Sequence, residues 1–116
     1  MENKTAKWLL DIINSIGEIT EFQEKEDIIS FSHYRSNKLV KRAIERNLSI
    51  IGEAVNRIKQ SDSDTFSKIE HARAIISLRN HFIHAYDGIS DENIWSILIN
   101  HLPKLEAEVK TLIGEQ

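Results

Sequence analysis

A chain of 116 residues with 41% hydrophobic and 28% charged residues is one ordinary domain's worth, too apolar for disorder, and is read as a single domain over residues 1–116. It has no Cys, which excludes disulfides, thiol nucleophiles and zinc-thiolate centres, and its formal charge of -3 argues against coating nucleic acid by bulk charge while leaving room for a local basic cleft. The start lacks an apolar run behind a basic flank, and no segment approaches the roughly 20 apolar residues of a membrane span, so neither a signal peptide nor a membrane partner is expected and the cytoplasm is the expected compartment.

One Pro and four Gly leave few breaks, which favours long helices. Residues 4–24 read as the first, with Trp8, Leu9, Ile12, Ile13, Ile16, Ile19 and Phe22 at helical spacing. Trp8 on that stripe is read as core. Residues 25–37 read as an exposed connector with a short helical turn over Asp27 to Phe31. His33, Tyr34 and Arg35 are within it, as ordinary side chains or as ligand contacts.

Residues 37–60 read as a long second helix. Val40, Ile44, Leu48, Ile51, Val55 and Ile58 step by four, four, three, four and three, the pattern of a bundle seam. Lys38, Lys41, Arg42 and Arg46 make its first half basic. That run is either a solvated face with a local ion pair to Glu45 or a flank that attracts phosphate. Gly52 lowers helix stability by roughly 1 kcal/mol relative to Ala and permits close approach of another backbone. Glu53 beside it either pairs with an arginine of a site or faces water.

Residues 60–66 read as a polar loop, followed by a third helix from about Ser67 to Tyr86, ended by Asp87-Gly88. Ser90 reads as the N-cap of a fourth helix, with Asp91 and Glu92 complementing its dipole. Ile94, Trp95, Leu98, Leu102, Leu105, Val109 and Leu112 form its apolar stripe, and Pro103 predicts a kink near Ile99. His101, on or beside that stripe, reads as a packed, hydrogen-bonded histidine. The fold class is therefore all-α, an antiparallel four-helix up-and-down bundle with a short extra helical turn.

The end of the third helix concentrates the chemistry. Arg79, Asn80, His81, His84 and Tyr86 fall within eight positions. At about 100° per residue, Arg79 and Tyr86 share a helix face, as do Asn80 and His84, while Arg79 and His84 diverge by about 140°. A single straight helix cannot aim both at one atom, so either the helix ends there or a second copy of the chain supplies the partner. A metal site is the rival reading, but His81 and His84, with His71 and Asp87 in support, fall short of a zinc ligand set; no metal and no cofactor are expected.

Arg79-Asn80-x-x-x-His84-x-Tyr86 is an Arg-x4-His-x-Tyr motif. With Arg46-Asn47-Leu48-Ser49-Ile50-Ile51-Gly52-Glu53-Ala54 upstream and Asn93-Ile94-Trp95 downstream, the chain resembles the HepT-like branch of the HEPN superfamily from about residue 30 onward. The resemblance implies a homodimeric helical bundle that acts as a metal-independent endoribonuclease toxin, with the cleft shared by two protomers. It also implies a toxin–antitoxin module whose antitoxin, a minimal nucleotidyltransferase (MNT), silences the nuclease by moving AMP onto a tyrosine. On this sequence Arg79 and His84 would be catalytic, Asn80 their polar helper and Tyr86 the AMP acceptor. The alternative is a non-catalytic binding subunit of a nucleotidyltransferase.

The chemistry suits those residue types. Metal-free RNA cleavage needs a group that moves protons between the 2′-hydroxyl and the leaving 5′-oxygen, and an imidazole with a pKa near 6.5 does so at neutral pH. It also needs permanent positive charge against the crowded phosphate, which a guanidinium fork supplies. One His is a thin apparatus; two chains supply separate acid and base.

Overall fold

The computed structural model describes residues 3–77 and 90–114, and every regular element among them is a helix. The first, α1 (Asn3–Lys25), is built on the expected stripe, with Leu9, Ile12, Ile16 and Ile19 buried and Trp8 half-buried against the core. It ends in a Schellman turn. The Ile28 amide donates to the Gln23 carbonyl at 2.8 Å and the Asp27 amide to the Glu24 carbonyl at 3.3 Å. Asp27 takes the left-handed conformation at φ 52°, and Ile28 behind it is buried. Asp tolerates that region better than most residues, which is how the helix stops without a glycine.

The connector differs from the expectation. Its helical part is α2 (Phe31–Ser36), later than the turn foreseen over Asp27 to Phe31, because Ser30 provides the N-cap by accepting from the His33 amide at 3.2 Å. It is also not wholly exposed: Tyr34 is fully buried. Asn37 then caps α3 (Lys38–Ser61), accepting from the Val40 amide at 3.0 Å. All six seam residues of α3 are buried, and Gly52 and Asn47 with them.

The polar stretch after α3 is partly helical. Asp62 accepts from the Thr65 amide at 3.1 Å and hydroxyl at 2.8 Å and so starts α4 (Ser63–Ser67). The next helical residues are 72–77, so this helix begins about five residues later than Ser67, after turns through Lys68 to His71. Ser90 caps α5 (Asp91–Asn100) as expected, accepting from the Asn93 amide at 3.2 Å. The expected kink is a break. The chain turns at His101 and restarts as α6 (Leu102–Gly114), with Pro103 in the first turn, where proline's missing N–H costs nothing.

Side-chain bonds fix the directions. The Thr5 hydroxyl donates to Asp62 at 3.1 Å and the Asn37 amide group to Glu26 at 3.4 Å, so α1 and α3 are antiparallel neighbours. Asp91 at the head of α5 meets Lys41 in the early turns of α3, while Glu108 of α6 meets Glu70 and His71 beyond the end of α3. The α5–α6 pair therefore runs in the direction of α3 and against α1. One apolar core joins them, through Ile44, Leu48, Ile51, Val55 and Ile58 of α3, Ile75, and Ile94, Leu105 and Val109 of the last two helices. No helix among the described residues is long and apolar enough to cross a membrane.

Candidate functional site

Arg79, Asn80, His84 and Tyr86, with His81 and Asp87, lie outside the described residues. What is described is the frame on both sides of them. On the entry side, the carboxylate of Glu108 accepts from the backbone amides of Glu70 at 2.7 Å and His71 at 3.4 Å. An anion there satisfies N–H groups just before the helical residues 72–77 and complements that helix's positive end. His71 is also held through its ring, with 3.0 Å between its Nδ1 and the Nδ1 of His101. One ring must donate and the other accept, so the pair carries a single proton between the two nitrogens. Burial first, then the positive charges of His71 and Lys104, hold the His101 imidazole below the usual histidine range. His101 is thus the packed, bonded histidine expected from its position, but its partner, 30 residues away, has no local sequence signal.

On the exit side, Ser90 caps α5 and Asp91 forms an ion pair with Lys41 at 2.9 Å. The two side chains are only 24% and 23% exposed, so this pair is shielded from salt more than a surface pair. Next to it stand three rings. Trp95 lies 5.7 Å from Tyr34 and 6.2 Å from Phe31, centroid to centroid. The Tyr34 hydroxyl is buried and has no hydrogen-bond partner among the described residues. Burial, with the charges of Glu45 and Asp91 behind it, raises its pKa far above the ordinary phenol value. The Asn47 side chain is similar: its Nδ2 donates to the Ala43 carbonyl at 3.1 Å, while its buried Oδ1 has no partner among the described residues.

The four basic residues of α3 divide. Lys41 is turned inward to Asp91. Arg42 and Arg46 are exposed one helical turn apart, and Lys38 lines a cleft of about 430 Å³ that also contains Glu26, Asp27 and His33. Of the solvated-face and phosphate-flank readings, Lys38, Arg42 and Arg46 keep both open; Lys41 has a structural task. Glu53 reaches Arg57 at 3.4 Å one turn along α3. No group of three or more potential metal ligands occurs among the described residues.

The all-α helix order, with the Arg-x4-His-x-Tyr stretch lying between residues 72–77 and Ser90 in the sequence, is consistent with a HEPN-type fold. The chain belongs to the Ribonuclease HepT-like family, whose profile matches residues 12–112. It is 32% identical over 103 residues to "Putative RNase MJ1380" of Methanocaldococcus jannaschii, covering 89% of this chain and 91% of that protein. It is 32% identical over 88 residues to "Putative RNase TTE0752" of Caldanaerobacter subterraneus subsp. tengcongensis, covering 76% and 78% of the two chains. It is 29% identical over 112 residues to "Probable ribonuclease HepT" of Thermococcus cleftensis, covering 97% and 98%. No solved structure gives a significant match.

Proposed function

We propose that this chain is, as one domain, a metal-independent endoribonuclease toxin that works as a homodimer in the cytoplasm, with Arg79 and His84 as its catalytic residues. The observation that carries the reading is the family match over residues 12–112, a span that contains the whole Arg79 to Tyr86 motif. In this mechanism the His84 imidazole takes the proton of an RNA 2′-hydroxyl, and the 2′-oxygen attacks the adjacent phosphorus. The bond from phosphorus to the 5′-oxygen breaks, and the imidazolium of the second copy's histidine protonates the leaving oxygen. The products are a 2′,3′-cyclic phosphate and a free 5′-hydroxyl. Arg79 holds the charge that builds on the phosphoryl oxygens, and Asn80 orients the pair. Loss of one such positioned donor typically lowers the rate by about a hundred- to thousandfold.

Control follows from the same segment. A cognate MNT nucleotidyltransferase transfers AMP to the Tyr86 hydroxyl; the seven-residue spacing predicts that this adds bulk and negative charge near Arg79, where it competes with RNA phosphate for the guanidinium.

The test is purified chain, free of any partner, incubated with total RNA in EDTA. Cleavage by the parent and its loss in Arg79→Ala and His84→Ala, with unchanged circular dichroism melts, is the expected result. Full cleavage by either variant overturns the assignment. No cleavage by the parent, with retained binding to a nucleotidyltransferase, favours the non-catalytic subunit instead. Mass spectrometry after co-expression with the neighbouring nucleotidyltransferase should find the adenylyl mass on the Tyr86 peptide and not on a Tyr86→Phe chain.

A further inference from the structure

A second cleft opens where the end of α3, α4 and the helical residues 72–77 meet. It has a volume of about 290 Å³ and is lined by Lys59, Phe66, Arg73, Ile76 and Ser77. Among the described residues no carboxylate lines it. The lining joins two cations, one half-buried aromatic ring, an apolar wall and a hydroxyl. That volume lies at the lower limit of small-molecule pockets, roughly 300 Å³, which is room for one nucleotide unit rather than a larger ligand.

The two cations are not accounted for by the fold. Arg57 nearby is engaged by Glu53, and Asp62 is consumed by Thr65 and Thr5. Lys59 and Arg73 are exposed and form no ion pair among the described residues. Lys59 in the last turn of α3 at least complements that helix's negative end. Arg73 does not. It occupies the first turn of the helical residues 72–77, where a cation opposes the dipole, so the helix itself gives it no stabilising task, and its guanidinium is placed to meet an anion in the cleft. Ser77, in the same lining, stands two positions before Arg79 in the chain.

We infer that this cleft is a subsite for one nucleotide of single-stranded RNA, with its phosphate bound by Lys59 and Arg73 and its base against the Phe66 ring. Cations for the backbone and an aromatic for the base are how single strands are held without sequence readout. The assignment of RNA as the occupant rests on the ribonuclease reading above; the cleft itself does not.

The test is fluorescence anisotropy with a short, fully 2′-O-methylated RNA oligonucleotide, which has no 2′-hydroxyl to attack and so reports binding by the parent chain without cleavage. Lys59→Gln combined with Arg73→Gln should weaken binding about tenfold across sequences. It should also lower the slope of log affinity against log salt by about 1.4, two single-strand phosphate contacts at roughly 0.7 each. Lys59→Arg with Arg73→Lys should restore both, and Phe66→Leu should weaken binding with the slope unchanged. Parent affinity and slope retained in the Gln pair overturn the subsite, as does a parent that binds no RNA. AMP is the second probe. If the Gln pair loses AMP but holds RNA as the parent does, the cleft serves free nucleotide and the RNA assignment falls. Unchanged binding alongside active cleavage removes the subsite and leaves the nuclease; binding lost in the Gln pair of a chain that never cleaves removes the nuclease and leaves the subsite.

Discussion

Replacing Tyr34 by Phe deletes one oxygen from the buried core, and the environment of that oxygen predicts stabilisation. The ring is fully buried beside Trp95, and its hydroxyl has no partner among the described residues. A buried, unpaired polar group costs roughly 1–3 kcal/mol. Phe keeps the ring contacts and drops that cost, so Tyr34→Phe should gain about 1 kcal/mol at pH 7. With an unfolding entropy of about 2.1 cal/mol/K per residue over 116 residues, this raises Tm by about 4 °C. The gain should widen in alkali. Burial holds the phenol's pKa far above its ordinary value, so the native chain keeps a proton that the unfolded chain releases above about pH 10. That part of the parent's stability is whole below pH 10 and is lost as pH rises, at up to about 1.4 kcal/mol per pH unit. The Phe chain lacks this loss, and by pH 11 the difference between the two should roughly double. Urea titrations followed by circular dichroism at pH 7, 10 and 11 measure it. A Phe chain less stable than the parent by 1 kcal/mol or more would show that the hydroxyl is hydrogen-bonded, and the reasoning would fail.

Three further outcomes follow. Because folding depresses the His101 pKa, the unfolded chain binds a proton first as pH falls below about 6.5; parent Tm should drop from pH 7 to pH 5, and His101→Gln should flatten the curve in a melt series. Asp62→Ala removes the α4 cap and the tie to Thr5 and should cost about 1–2 kcal/mol in urea unfolding, with Asp62→Asn keeping part of it. In the RNA-binding assay, Arg42→Gln and Arg46→Gln should each weaken binding severalfold, whereas Lys41→Gln should change stability rather than affinity, since its ammonium is already held by Asp91.

The long amphipathic elements were legible in the sequence because one signal, apolar residues every three or four positions, carries them. The α3 seam was read residue for residue, and so were the Ser90 cap and the packed state of His101. The misses share a cause. Pro103 reads from sequence as an interior proline that bends a helix, but in a first turn it starts one, and only the position of His101 distinguishes the two. The stretch at 60–66 looked like loop because Ser, Asp and Thr favour loops and caps alike; Asp62 used them as a cap. Tyr34 looked exposed among Ser, His and Arg, and its burial comes from Trp95, 61 positions later. The motif at Arg79 to Tyr86 stands out by its residue types but lies outside the described residues, and the groups that hold the stretch before it have no local signal. Glu108 and His101 reach Glu70 and His71 from the other end of the chain, and nothing in either stretch announces the other.

That last link has a genetic consequence. The start of the segment that leads into the motif is moored by a carboxylate and an imidazole from the region after Asn100, so under the nuclease proposed above the tail of the gene contributes to the approach to its site. If the chain is the toxin proposed above, selection for clones that survive its expression should return not only lesions in the motif but also changes at Glu108, in a protein that still accumulates and still folds.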